Sequence, residues 1–224
     1  MPTSPRFLRK SIRVCGLMWA SAPTKMIMEI QNNKEQVPFA HYVHEFKSLE
    51  PMEAVQRLGV AWNGKAFSVK LLGTEYYITH PEYSISPQAP LPVQTFLLRY
   101  LLKSKAVAFS GTWKTFREMP WGELYIKPYT GRVLTRAAFT FGTRVEKFKA
   151  AAEKMGAFDV KKGDAGFVFD LIGNFQMQIL VWAGDEEFPP NAQVLYSDNF
   201  ENGFEPEDRV VAGDLLISSI KSQL

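Results

Sequence analysis

The chain has 224 residues, 46% of them apolar and 22% charged, with a formal net charge of +3. A chain this long buries roughly 70% of its unfolded surface and needs no covalent staples, so the composition excludes a disordered protein. Much of the positive excess lies in Arg6, Arg9, Lys10 and Arg13, which leaves the rest near neutral and without a footprint for nucleic acid.

A single cysteine, Cys15, excludes an internal disulfide, a self-contained iron–sulfur cluster and a cysteine-rich zinc site. No apolar run approaches the roughly 20 residues of a membrane span. Residues 1–31 lack clean periodicity and read as a disordered or mis-annotated leader. Basic residues ahead of Val14–Trp19, then Ala20-Ser21-Ala22, loosely imitate a secretory signal. The apolar part is short and broken by Gly16. The reading adopted is a start at Met26 or Met28 and a cytoplasmic protein, with one domain over 32–224.

Pro38 to Phe46 has helical spacing in Phe39, Val43 and Phe46. His41 and His44 share a face of that helix and read as surface residues, not metal ligands. Pro51 opens a short helix with Met52, Val55 and Leu58 on one side, stopped by Gly59. Val60–Trp62, Asn63-Gly64 and Lys65–Leu72 predict a hairpin with its tight turn at Asn-Gly. Glu75–Thr79 adds a strand, ended by Pro81. Glu82–Pro92, with Pro87, Pro90 and Pro92, reads as loop.

Pro92 opens the clearest helix. Val93, Phe96, Leu97, Tyr100 and Leu101 recur at helical spacing, and Leu98 and Leu102 add a second stripe. A helix apolar on most sides belongs in the core. Ser110–Gly122 reads as a loop of mixed aromatic and polar residues. Trp113 and Trp121 beside Lys114 and Arg117 would line a pocket for a flat or anionic ligand, or simply cover the core. Val133–Phe141 is a further helical stripe. Thr143 and Glu146 have the spacing of a capping box for the next helix, which buries Val145, Phe148, Ala152 and Met155 and ends at Gly156.

The stretch from Gly163 to Asp198 organises the rest. It predicts a strand over Phe167–Ile172, a turn at Gly173-Asn174, and a strand over Phe175–Trp182 with Met177, Ile179 and Val181 on one face. An acidic corner at Asp185-Glu186-Glu187 and a third strand over Ala192–Tyr196 follow. Asn199–Phe204 reads as polar loop, and a last helix runs from Pro206 to the C-terminus. Strands and helices are segregated, which predicts an α+β fold. Its antiparallel or mixed sheet carries packed helices in a single compact domain.

The chain has no Gly-x-Ser-x-Gly elbow, phosphate-binding loop or dinucleotide fingerprint, so no cofactor is assigned. The remaining candidate chemistry is acidic. Asp185 and Glu187 project together if the strand continues, and Asp164 and Asp198 lie in flanking turns. Crowded carboxylates repel, which raises a pKa or invites a cation. The same residues also suit a structural corner, with carboxylates accepting backbone amides or pairing with Arg117 or Arg209. Candidate ligand-binding residues are Trp113, Arg117, Trp121, Asp164, Asp185 and Glu187.

Leu98-Arg99-Tyr100-Leu101-Leu102, Gly111-Thr112-Trp113, Phe116-Arg117-Glu118, Gly163-Asp164 and above all Trp182 to Pro190 resemble a bacterial and archaeal family. It is catalogued as domain of unknown function three-seven-eight-six. The likeness runs from about Gln36 to the end. The chain departs from it at Gly173-Asn174-Phe175, where prolines are expected. Some relatives carry a four-cysteine iron–sulfur module of the corrinoid-protein type. The resemblance therefore implies a ligand- or partner-binding accessory protein in anaerobic redox or one-carbon metabolism, with an iron–sulfur or corrinoid protein as partner. Two further readings stand beside it: a small carboxylate-based, metal-dependent enzyme, and a structural interaction domain that uses the Trp113–Trp121 loop.

Overall fold

The structure is a computed structural model that describes residues 35–224, so the leader of 1–31 and its start codon lie outside the described residues. The described residues form one compact unit. Chain order begins with helices α1 (Gln36–Phe46) and α2 (Pro51–Leu58), then strands β1 (Ala61–Trp62), β2 (Ala66–Leu71), β3 (Thr74–Thr79) and β4 (Ser84–Ser86). Helix α3 (Leu91–Lys103), strand β5 (Trp113–Thr115) and helices α4 (Gly122–Tyr129), α5 (Arg136–Phe141) and α6 (Val145–Lys154) follow. Strands β6 (Phe158–Asp159), β7 (Ala165–Ile172), β8 (Phe175–Trp182) and β9 (Asn191–Ser197) lead to helices α7 (Phe200–Gly203) and α8 (Pro206–Lys221).

The fold is α+β. The strands form one open sheet in the order β4-β3-β2-β7-β8-β9-β5, with β1 on β2 and β6 on β7. Every pair is antiparallel, so the mixed alternative falls away. The sheet has two halves. The β1–β4 hairpins join β7 through the single register pair Leu71–Ile172, extended by the Leu72 amide on the Leu171 carbonyl at 2.8 Å.

The core sits where helices cover the β7–β9 half. Met177, Ile179 and Val181 are fully buried on one face of β8, as their alternation predicts. Phe148 of α6 meets Phe167 edge-on at 5.6 Å and stacks on Phe141 of α5 at 4.8 Å. A second aromatic group closes the far end, where Phe204 contacts Phe96, Tyr100, Phe175 and Phe200. Each such side chain contributes roughly 1.5–3 kcal/mol by leaving water.

Local chemistry moves several predicted boundaries. The predicted hairpin forms between β1 and β2, and a second two-residue turn, at Leu72-Gly73, both at positive φ, joins β2 to β3, where Leu71 pairs with Thr74. At the earlier turn Asn63 spends its side chain accepting the amides of Lys65 and Ala66, which shifts the turn centre to Gly64-Lys65. Met52 faces solvent, and Ala54 and Leu58 form the buried side of α2. Within Glu82–Pro92, residues 84–86 are the edge strand β4, despite the surrounding prolines. The Ser110–Gly122 segment contains β5, a 3₁₀ turn over Phe116–Glu118, and the start of α4.

The predicted capping box at Thr143 is absent. The Thr143 hydroxyl donates back to the Phe139 carbonyl, and Glu146 pairs with Lys149. The comparable arrangement occurs at Thr115, whose amide and hydroxyl both donate to Glu118, each at 2.7 Å. Asn199–Phe204 holds the short α7, with Phe200 fully buried.

Helix α8 is buried nearly all round, including its charged pair Asp208 and Arg209. Such burial requires partners for both. Asp208 takes Arg99 of α3 in a two-pronged pair, with Arg99 Nη2 at 3.0 Å from Oδ2. Arg209 donates to the carbonyls of Pro120 (2.8 Å), Glu201 (2.9 Å) and Phe204 (2.9 and 3.1 Å). Tyr196 of β9 donates to the Arg209 carbonyl at 3.0 Å. Gly213 lets α8 lie against that tyrosine, since a Cβ there would sit 2.9 Å from its oxygen.

Arg209→Met leaves these carbonyls without their donor and is expected to cost about 2–4 kcal/mol in denaturant unfolding. Arg209→Lys is expected to recover little of that loss, because an ammonium lacks the fork that spans several carbonyls. Full recovery by lysine would show that charge, not geometry, matters here.

Candidate functional site

Arg209 and Gly122 together shape the segment that carries Trp121. The Pro120 carbonyl is held by Arg209. Gly122 is pressed against the preceding turn, where an added Cβ would meet the Phe116 carbonyl oxygen at 2.2 Å. Its amide donates to the Met119 carbonyl at 2.9 Å. Trp121 is caught between these fixed neighbours. It adopts φ 65° and ψ 3°, the left-handed region, at the start of α4. That conformation costs a non-glycine residue roughly 1–2 kcal/mol. Trp121 is nevertheless 67% exposed, and Leu124, one turn on, is 71% exposed.

These two residues overlook an open cleft of about 490 Å³, also lined by Tyr42, Arg99, Lys103, Tyr125, Glu205, Pro206 and Glu207. Helices α1, α3, α4 and the start of α8 each supply part of it. Arg99 and Lys103, four apart on α3, both lie over the Tyr42 ring, at 5.0 and 5.2 Å from its centre. Arg99 also donates to the Tyr42 hydroxyl. Burial works against the Arg99 charge, and Asp208 more than restores it, so the guanidinium is held above its ordinary pKa. Burial pushes the Asp208 carboxyl up, against the pull of Arg99. Tyr125 donates to Glu207 at 3.3 Å, and the charge of Glu207 raises the phenol's pKa.

The sequence-predicted residues divide into separate places. Trp121 lies in the cleft. Trp113 is half-buried in β5, edge-on to Phe109 at 5.3 Å. Arg117 pairs with Glu123 at 3.1 Å, and Lys114 pairs with Glu201. Both cations expected to draw an anion therefore already have carboxylate partners. Register keeps the acidic corner away from Trp113. Trp113 pairs with Ser197, whereas Asn191, at the other end of β9, pairs with Trp182. The separation along the strand is about 20 Å at roughly 3.3 Å per residue.

The acids make turns. Asp185 accepts the amides of Glu187 (2.9 Å) and Phe188 (2.7 Å), and its own amide donates to the Phe188 carbonyl. Asp164 accepts the Ala183 amide at 2.7 Å. Asp198 accepts the amide and hydroxyl of Ser110. Glu187 is exposed. Among the described residues no three of His, Cys, Asp and Glu converge as metal ligands, and His41 sits on the surface beside Glu45 at 3.6 Å.

Sequence reasoning missed Tyr42, Arg99, Lys103, Tyr125, Glu205 and Glu207. The four-residue spacing of Arg99 and Lys103 within the apolar C-terminal half of α3 was the available signal for two of them.

Fold and cleft define an α+β domain with an aromatic, mixed-charge cleft at the meeting point of four helices. The chain belongs to the family described as Domain of unknown function (DUF3786), which matches residues 50–219. Tyr42 lies ahead of that span. No curated protein and no solved structure matches the chain. Among the described residues no helix is long and apolar enough to cross a membrane.

The amides of Phe188 and Glu187 hold the Asp185 carboxyl below its ordinary pKa. In the unfolded chain that group titrates near 4. Its stabilisation is therefore complete above about pH 4 and is lost as pH falls through the lower folded-state value. Asp185→Ala is expected to lower the thermal midpoint by a constant amount between about pH 5 and 8, with the gap closing below about pH 4. A gap that persists at about pH 2 would refute this role.

Proposed function

We propose that this chain is a ligand- or partner-binding accessory protein and that the cleft beneath Trp121 is its binding site. The supporting observation is the strained, exposed tryptophan. A left-handed non-glycine residue persists only where its surroundings over-determine it, and such residues gather at binding sites. Trp121 contributes little packing that would explain keeping it. The catalytic reading has no comparable support, since Asp164, Asp185 and Asp198 are engaged with backbone amides or a serine.

The proposed setting is cytoplasmic, from reading residues 1–31 as a mis-annotated leader and not a secretory signal. Its place in anaerobic redox or one-carbon metabolism, beside an iron–sulfur or corrinoid protein, rests on the family resemblance alone. The chain has one cysteine, so any cluster would be the partner's.

Trp121→Gly separates fold from function. Glycine relieves the left-handed strain, so the thermal midpoint is expected to stay level or rise by about 2–4 °C. The same variant is expected to lose capture of an iron–sulfur or corrinoid protein when the immobilised chain is exposed to anaerobic cell extract. Equal capture by variant and parent would remove Trp121 from the site, and no capture by the parent would remove the proposed partner.

A further inference from the structure

The cleft contains two aromatic rings with no cation over them among the described residues, Trp121 and Tyr125. Tyr42 is different, since Arg99 and Lys103 already occupy it. The charges follow the same division. Arg99 is cancelled by Asp208. That leaves Lys103, Glu205 and Glu207 among the lining residues, a net negative charge for the cleft. Glu205 has no ion-pair partner among the described residues. Glu207 approaches Arg99 only at 4.0 Å, and its side chain is 63% exposed.

An anion entering here would meet two carboxylates and one lysine already drawn to a ring. A cation would meet two aromatic side chains and two carboxylates. Tryptophan is the strongest of the aromatic cation acceptors, and partial desolvation in a concave site strengthens the attraction. The geometry points to recognition of an organic cation, an alkylammonium or guanidinium group seated on Trp121 and Tyr125 with Glu205 and Glu207 as counter-charges. This deepens the binding-site reading above and rests on it. The group has two sources, a small-molecule amine or a Lys or Arg side chain of a protein partner.

The test titrates the full chain with 2-phenylethylammonium, tetramethylammonium, 3-phenylpropionate, 2-phenylethanol and a short Lys/Arg-rich peptide, by calorimetry and tryptophan fluorescence. The two ammonium probes are expected to bind at least about tenfold more tightly than the anion and the alcohol. Trp121→Ala is expected to abolish the binding and Glu207→Gln to weaken it several-fold. Both side chains are exposed, so both variants keep the fold. A peptide that binds more than about tenfold tighter than the amines supports the inference with a protein source. Equal binding supports it with a small-molecule source. If the anion or the alcohol binds as well as the ammonium probes, and Trp121→Ala removes that binding, the cation inference fails while the cleft remains a site. If no probe shows Trp121-dependent binding, the cation inference falls, and the capture experiment above decides separately whether the cleft is a site.

Discussion

A buried guanidinium with no carboxylate partner among the described residues organises this molecule. Arg209 is 2% exposed, and its bonds run to main-chain carbonyls from the Trp121 segment, from α7 and from the residue that ends α7. Those carbonyls lie in turns and helix ends, where no ladder supplies donors. One planar fork answers several of them together, which a set of neutral side chains from different elements would do only at a larger entropy cost. Burial presses against the charge and lowers the Arg209 pKa, with Glu201 and Glu205 opposing. The acidic flank of α8 therefore helps keep the clamp ionised.

The neighbouring residue faces another way. Asp208 turns to α3 and holds Arg99, so consecutive charges on α8 pin two different elements. The N-cap and first turn of α8 also present Glu205 and Glu207 to the cleft. Structure and site share this turn, and disturbing the buried pair would move the exposed carboxylates with it. Trp121 is tied to the same turn through the Pro120 carbonyl. Its left-handed backbone follows from being held on both sides, by Arg209 before it and by the tight approach of Gly122 after it.

The acidic corner shows how carboxylate crowding is relieved without a ligand. Asp185, Asp164 and Asp198 each accept a main-chain amide within hydrogen-bond distance. Their charges are satisfied one by one at the ends of strands rather than pooled. A run such as Asp-Glu-Glu is compatible with both outcomes in one dimension. Which amides come within reach depends on how β8 turns into β9.

Periodicity alone determined the elements whose apolar pattern is strong. The β7–β9 meander, α3, and the buried faces of α6 and β8 lie where alternation or helical spacing places them, because a side chain's face is set by its own backbone period. Turns followed residue chemistry less closely, since Asn63 spent its side chain as an acceptor and moved the turn centre. The short pieces β4, β5 and α7 carry no pattern of their own, being too short for alternation or helical spacing to show; β4 is held by the adjacent β3 and β5 by the distant β9. The cleft was least visible of all. Trp121 was legible as an exposed aromatic in an odd segment. Its companions Tyr42, Arg99, Tyr125 and Glu207 come from four helices across more than half the chain, and only packing brings them to one opening.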